Sequence, residues 1–153
     1  MEIERKFLIS GLPENLSDYP CHQIEQGYLC TEPVVRIRRQ DNDCILTYKS
    51  SGMLSREEYN LPLTAEAYEH LKPKADGIYI EKKRYCIPYG DYTIELDIFE
   101  GEVSPLILAE VEFPAEEEAA AFLPPDWFRE DVTWSEQYHN SYISRHGYHS
   151  SDR

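Results

Sequence analysis

Polar and apolar residues alternate with a period of two along most of this chain, the spacing of a strand with two unlike faces. In residues 1–9, Glu2, Glu4 and Lys6 share one face, while Ile3 and Phe7 share the other with Arg5 between them. Taken alone, this stretch reads as an ordinary half-buried strand. The same pattern then returns. Arg36 and Arg38 alternate with Val35 and Ile37, and Thr47 and Lys49 with Leu46 and Tyr48. Arg56, Glu58 and Asn60 oppose Tyr59 and Leu61. Further on, Lys82 and Arg84 oppose Lys83, Tyr85 and Ile87; Glu95 and Asp97 oppose Ile94, Leu96 and Ile98; and Glu110 and Glu112 oppose Ala109, Val111 and Phe113.

These runs predict eight strands, over residues 1–9, 21–30, 34–39, 44–50, 55–63, 78–87, 92–99 and 106–113. Most are joined by tight turns such as Asp41-Asn42-Asp43 and Pro88-Tyr89-Gly90-Asp91. The polar stretch before Pro20 predicts a loop. Thr64 is a good N-cap for a helix that carries Ala67, Tyr68 and Leu71 and stops at Pro73. A second helix is predicted over 115–122, acidic in its first turn as the macrodipole favours. A third is predicted over 133–145, where Thr133 and Glu136 have capping-box spacing. The fold class is therefore α+β, mainly β: an antiparallel sheet or barrel with a few flanking helices.

Two barrels fit that pattern. In one, the apolar faces fill the interior and the charges meet water. In the other, the charges line an interior tunnel and the apolar faces lie outside under the helices. The helices favour the second, because a solvated outer face would need no apolar cover. So does the grouping of charge: like signs pair along single strands, whereas a face built for solubility mixes them.

Composition narrows the function. The chain has 153 residues, with 15 Lys+Arg against 29 Asp+Glu and a net charge of −14. That argues against nucleic acid or an anionic membrane surface as partner. The sequence opens on a charged strand and holds no apolar run long enough to cross a bilayer, which predicts a cytoplasmic protein. Cys21, Cys30, Cys44 and Cys86 lack metal or redox spacing and read as reduced thiols. The five histidines receive no chemical role.

A cavity lined by both signs has a natural occupant. Clustered Arg and Lys suit a polyanion with several oxygens, and Arg offers phosphate a planar fork. Clustered carboxylates suit a hard divalent cation. A triphosphate with Mg²⁺ or Mn²⁺ satisfies both, and burying so many charges for structure alone would be costly.

On these residues the chain resembles the CYTH family, also called triphosphate tunnel metalloenzymes. Glu2-Ile3-Glu4-Arg5-Lys6 matches that family's N-terminal Glu-x-Glu-x-Lys signature. Arg36-Ile37-Arg38, Thr47-Tyr48-Lys49, Arg56-Glu57-Glu58, Lys82-Lys83-Arg84, Glu95-Leu96-Asp97 and Ala109-Glu110-Val111-Glu112-Phe113 follow in family order. Residues 132–140, closing on Tyr138-His139-Asn140, resemble its C-terminal motif.

The resemblance implies an eight-stranded antiparallel barrel forming a tunnel, as one domain over residues 1–147 with a loose tail over 148–153. It implies that Lys6, Arg36, Arg38, Lys49, Lys82 and Arg84 bind the phosphates. Glu2, Glu4, Glu110 and Glu112 would lead the metal ligands, joined by Glu58, Glu95 and Asp97. Glu2, Glu4, Lys6, Tyr28 and Lys82 would be catalytic, with Tyr28 at the terminal phosphate or the attacking water; core packing is an equal reading of that tyrosine. Arg5, Glu57 and Lys83 point the other way along their strands and are left out. The expected activity is hydrolysis of inorganic triphosphate by Mg²⁺ or Mn²⁺, with two ions during turnover. Adenylate cyclase, thiamine triphosphatase and a non-catalytic polyphosphate-binding module are the alternatives. The expected partner is a small-molecule triphosphate, with no nucleic acid and no membrane; a homodimer is left open.

Overall fold

Ten strands make one antiparallel sheet in the computed structural model, which describes residues 2–51 and 55–149 apart from the side chains of Glu2 and Ser55. The strands are β1 (Glu2–Ile9), β2 (Cys21–Thr31), β3 (Val34–Gln40), β4 (Asp43–Lys49), β5 (Ser55–Arg56), β6 (Glu58–Leu63), β7 (Asp76–Tyr89), β8 (Tyr92–Phe99), β9 (Ile107–Phe113) and β10 (Phe128–Asp131). Three short helices, α1 (Ala65–Leu71), α2 (Glu116–Ala121) and α3 (Asn140–His146), complete the regular structure. The spatial order is β10-β1-β9-β8-β7-β2-β3-β4-β6, and β5 pairs with β1.

This differs in detail from eight strands in a continuous ring. The expected strand over 55–63 is split at Glu57: β6 pairs with β4, while β5 pairs with β1 through Glu2↔Arg56 and Ile3↔Ser55. Two residue pairs thus link β5, which precedes β6 in the chain, to β1, one strand in from the other end of the nine-strand path. The tenth strand, β10, escaped the sequence pattern because it is four residues long and buries only Phe128. It is held beside β1 partly by Arg5, whose guanidinium donates to Asp131 at 2.9 Å. The turns behave as their residues predict. Gln40 pairs with Asp43 across a two-residue loop in which Asp41 has φ 55. Tyr89 pairs with Tyr92 around Gly90 at φ 62.

The outward faces are apolar where helices cover them. Ile3, Phe7, Ile94, Leu96 and Val111 pack with Ala119 of α2 and with Phe122. Ile37 and Cys44 pack with Tyr68 of α1, and Thr64 Oγ1 caps that helix by accepting from the Ala67 amide at 3.0 Å. The inward rows grade from apolar to ionic. Along β9 they read Leu106, Leu108, Glu110, Glu112; along β7, Ile78, Ile80, Lys82, Arg84; along β8, Phe99, Asp97, Glu95. At the apolar end, Ile80, Phe99 and Leu108 pack with Tyr138 and with Ile143 of α3. The interior is therefore a charged cavity above an apolar floor, not a tunnel charged throughout.

The third helix is much shorter than expected. Residues 136–138 form a single 3-10 turn, and α3 begins only at Asn140. Thr133 does not cap a helix: its hydroxyl accepts from the Lys6 amide at 2.9 Å and donates to Asp131. The segment is tied to β1 instead. Gly77, at φ +69, lets α3 approach β7, since a Cβ there would lie 2.0 Å from the Ser144 carbonyl oxygen. Of the tail over 148–153, residues 150–153 lie outside the described residues.

Candidate active site

The ionic half of the interior encloses a cavity of about 220 Å³. Six basic residues line it: Lys6, Arg36, Arg38, Lys49, Arg56 and Arg84. Glu4, Glu58, Glu95, Glu110 and Glu112 line it as well, with Tyr28 and Asn140. Strand register explains the mixture. Glu4 stands opposite Glu112, Lys6 opposite Glu110, and Glu95 opposite Glu110 on the other side of β9. Arg84 faces Asp97, and Lys49 faces Glu58.

The charges are joined in a chain of alternating sign. Arg84 donates to both oxygens of Asp97, Nε to Oδ1 at 2.7 Å and Nη2 to Oδ2 at 2.8 Å. Its other contacts reach Glu95 at 3.4 Å and Glu110 at 3.8 Å. Glu110 accepts from Lys6 Nζ at 2.9 Å; Lys6 approaches Glu4 at 3.8 Å; Glu4 approaches Arg56 at 3.9 Å. Unpaired, these buried groups would be expensive to desolvate. The chain reduces that cost without pairing every donor: Arg36 Nε is buried without a hydrogen-bond partner, while its Nη2 donates to Thr47 Oγ1 at 3.2 Å.

Electrostatics follow from this crowding. Burial disfavours the charged form of Lys6, but Glu110 and Glu4 outweigh it and hold the ammonium above its ordinary range. Burial also opposes the charge on Glu110, yet Lys6 and Arg84 keep that carboxyl well below its usual value. Glu95 is shifted upward, by burial against the pull of Arg84. Arg38 is pushed down to about 9, by burial and then by the neighbouring Arg36 and Arg84 charges.

Two expected site residues sit deeper than the cavity wall. Lys82 and Asp97 are both 0 % exposed and do not line the cavity. Lys82 Nζ lies 2.7 Å from Asp97 Oδ2 and 5.1 Å from the centre of the Phe99 ring. Burial, together with Arg84 and Arg38, pushes the Lys82 ammonium down to about 7 despite Asp97. In this structure Lys82 lies beneath the cavity wall, and the oxygens of Asp97 face Arg84 and Lys82. Period two put both residues on the right face but could not tell how deep along the axis each lies.

Other expectations fare differently. Glu4, Lys6, Arg36, Arg38, Lys49, Glu58, Arg84, Glu95, Glu110 and Glu112 all meet at the cavity. Glu112 is exposed at its rim, whereas Glu4 and Glu110 are buried. The Glu2 side chain lies outside what the structure describes. Tyr28 packs into the apolar floor and also lines the cavity. Arg56, His139 and Asn140 stand within the quoted motifs, but neither they nor Gln26 received a site role from the sequence. Arg56 shares the parity of Glu58, a signal that was available. Gln26, His139 and Asn140 lie outside the pattern of alternating charges, and the only signal for His139 and Asn140 was their place in the C-terminal motif.

The donor set has the chemistry of a hard-cation site, since Glu4, Glu58, Glu95, Glu110 and Glu112 offer only carboxylate oxygens. Among the described residues, no three acidic, histidine or cysteine side chains are preassembled for a metal. A cation here would draw further oxygens from a phosphate ligand, as Mg²⁺ commonly does.

Comparison with known proteins agrees with this geometry. The family model described as the CYTH domain matches residues 1–148. A protein of Nitrosomonas europaea named inorganic triphosphatase is 41% identical over 148 residues, covering 94% of this chain and 96% of that protein. One from Acetivibrio thermocellus with the same name is 36% identical over 153 residues, covering 96% and 95%. A crystal structure of an inorganic triphosphatase superposes with a TM-score of 0.70 at 38% identity, covering 94% of each chain.

Proposed function

The chain belongs to the CYTH family, and from that premise we propose that it hydrolyses inorganic triphosphate to diphosphate and phosphate. One observation carries the reading: a cavity of triphosphate size in which buried Lys6, Arg36, Arg38 and Arg84 face carboxylates on neighbouring strands. Buried guanidinium nitrogens are usually hydrogen-bonded. Arg36 Nε has no hydrogen-bond partner in the protein, and a phosphate oxygen would satisfy it.

In this reading Lys6, Arg36, Arg38 and Arg84 bind phosphate oxygens and stabilise the charge that builds on them in the transition state. Lys49 and Arg56 hold the remainder of the polyanion. Glu4, Glu110 and Glu112 are the leading candidates to hold Mg²⁺ or Mn²⁺, with Glu2 retained from the sequence pattern and Glu58 and Glu95 in support; two ions are proposed. Such a cation supplies charge neutralisation and a lower pKa for the attacking water. Tyr28 is assigned to orient that water through its hydroxyl. Asp97 fixes the Arg84 guanidinium, and Lys82 supports the floor beneath. The free thiols suit a reducing compartment, and we assign the enzyme to the cytoplasm.

No helix among the described residues is long and apolar enough to cross a membrane. The test is phosphate release from inorganic triphosphate, ATP and thiamine triphosphate side by side, with cyclic AMP measured in the ATP reaction. Inorganic triphosphate should be preferred and EDTA should silence it. Turnover without a divalent cation, or cyclic AMP as the main product, would overturn the proposal.

A further inference from the structure

Asn140, the first residue of α3, lies between the cavity and buried Lys82. Its Oδ1 accepts from Lys82 Nζ at 3.3 Å and from Gln26 Nε2 at 3.3 Å. Both partners donate at those atoms. Lys82 Nζ is held as a donor by its ion pair with Asp97 at 2.7 Å, and the Gln26 amide is oriented, because its Oε1 accepts from Arg38 Nε at 2.7 Å, so its Nε2 can only donate. Two donors on one side therefore require the Asn140 oxygen there. Asn140 also lines the cavity, while Lys82 and Gln26 are 0 % exposed. With its oxygen held at the floor, the Asn140 amide nitrogen is left for the cavity.

We propose that Asn140 is a further phosphate-binding residue, whose amide nitrogen donates to a triphosphate oxygen. Its orientation is enforced from below by Lys82 and Gln26. Arg38, Gln26 and Asn140 then form a head-to-tail series of donors and acceptors ending on the ligand. Each bond polarises the next, so the last donor is stronger than an isolated amide. The series brings the influence of buried Lys82 to a ligand that Lys82 does not itself reach. It also gives α3 a part in binding, since seating the helix seats this donor. The inference rests on the triphosphatase reading of the cavity.

The decisive variant is Asn140→Asp. Aspartate has the same shape and still accepts from Gln26 and Lys82, so a role limited to packing or to holding α3 would be preserved. It replaces the donor facing the cavity with an anionic oxygen. Calorimetric titration with sodium triphosphate in EDTA should show binding weakened by at least about tenfold, the scale of a lost charge-assisted hydrogen bond. The thermal midpoint of the unliganded protein should not fall. Asn140→Ala, which removes the donor without adding charge, should weaken binding by about fivefold or more. That variant carries the test if the aspartate protein does not fold. Binding within about twofold of wild type in either folded variant overturns the assignment. If the wild-type protein itself neither binds nor hydrolyses triphosphate, the underlying reading of the cavity has failed instead.

Discussion

Arg84 and Asp97 face each other across β7 and β8 with two parallel hydrogen bonds, 2.7 and 2.8 Å long. Asp97 is 0 % exposed and also receives Lys82 at 2.7 Å, so one carboxylate holds two cations beneath the cavity. Arg84 keeps a third nitrogen toward Glu95 and the cavity. The pair fixes a cavity-facing guanidinium from behind, at the boundary between ionic and apolar halves of the interior.

Asp97→Asn should therefore destabilise the protein, not merely slow it. Removing one member of a buried pair typically costs about 3–5 kcal/mol, because the remaining charge is left uncompensated. Urea unfolding at neutral pH measures this. A loss below about 1 kcal/mol would show that Arg84 and Lys82 find other partners.

Glu112→Gln should behave in the opposite way. Glu112 is exposed, so stability should stay within about 0.5 kcal/mol of wild type. Turnover of triphosphate should drop by about a hundredfold or more if this carboxylate helps hold the cation. Buried Glu4→Gln should lose turnover similarly. Near-normal turnover in both variants would remove these residues from the metal site.

Arg36→Met should separate stability from binding. The substitution deletes a buried nitrogen that lacks a partner, a defect that usually costs about 1–3 kcal/mol. Stability should be unchanged or higher. The KM for triphosphate should rise by about tenfold or more, as expected for loss of a charged phosphate contact. A stable variant with unchanged KM would place Arg36 outside the binding set.

His139 should make the fold acid-sensitive. It is buried, and its Nε2 donates to the Thr133 carbonyl at 2.8 Å. Burial first, then the Lys6 charge, push its pKa down to about 4. The unfolded chain, with an ordinary histidine near 6.5, binds more protons than the native state between those values. Stability contributed by neutral His139 is therefore fully present above about 6.5 and falls as pH drops toward about 4. Comparing urea midpoints at pH 7 and pH 5 for wild type and His139→Gln tests this, the variant losing the His139 share of the decline. Equal slopes in both proteins would refute it.

The sequence by itself determined which face of each strand is ionic, because a period of two is a local property that survives without knowledge of neighbours. Glu4, Lys6, Arg36, Arg38 and Glu110 could be assigned to one interior for that reason, and the motif order identified their family resemblance. The capped helix at Thr64 and the hairpin at Asp41 were equally local. Depth was not. Lys82 and Arg84 are alike in the pattern, yet one lies buried on the Phe99 ring and the other lines the cavity. That difference depends on β7 pairing with β8 and on where the C-terminal segment fills the barrel. The shortened α3 has the same origin, since Thr133 forms its bonds to β1 and Asp131 in place of a helix cap. Gln26 and Asn140 received no role, Asn140 despite its place in the C-terminal motif, because an amide signals nothing until its partners are known. Only the tertiary structure brought β2, β3, β7 and α3 together, fixing which of the pattern's charges line the cavity and which lie beneath it.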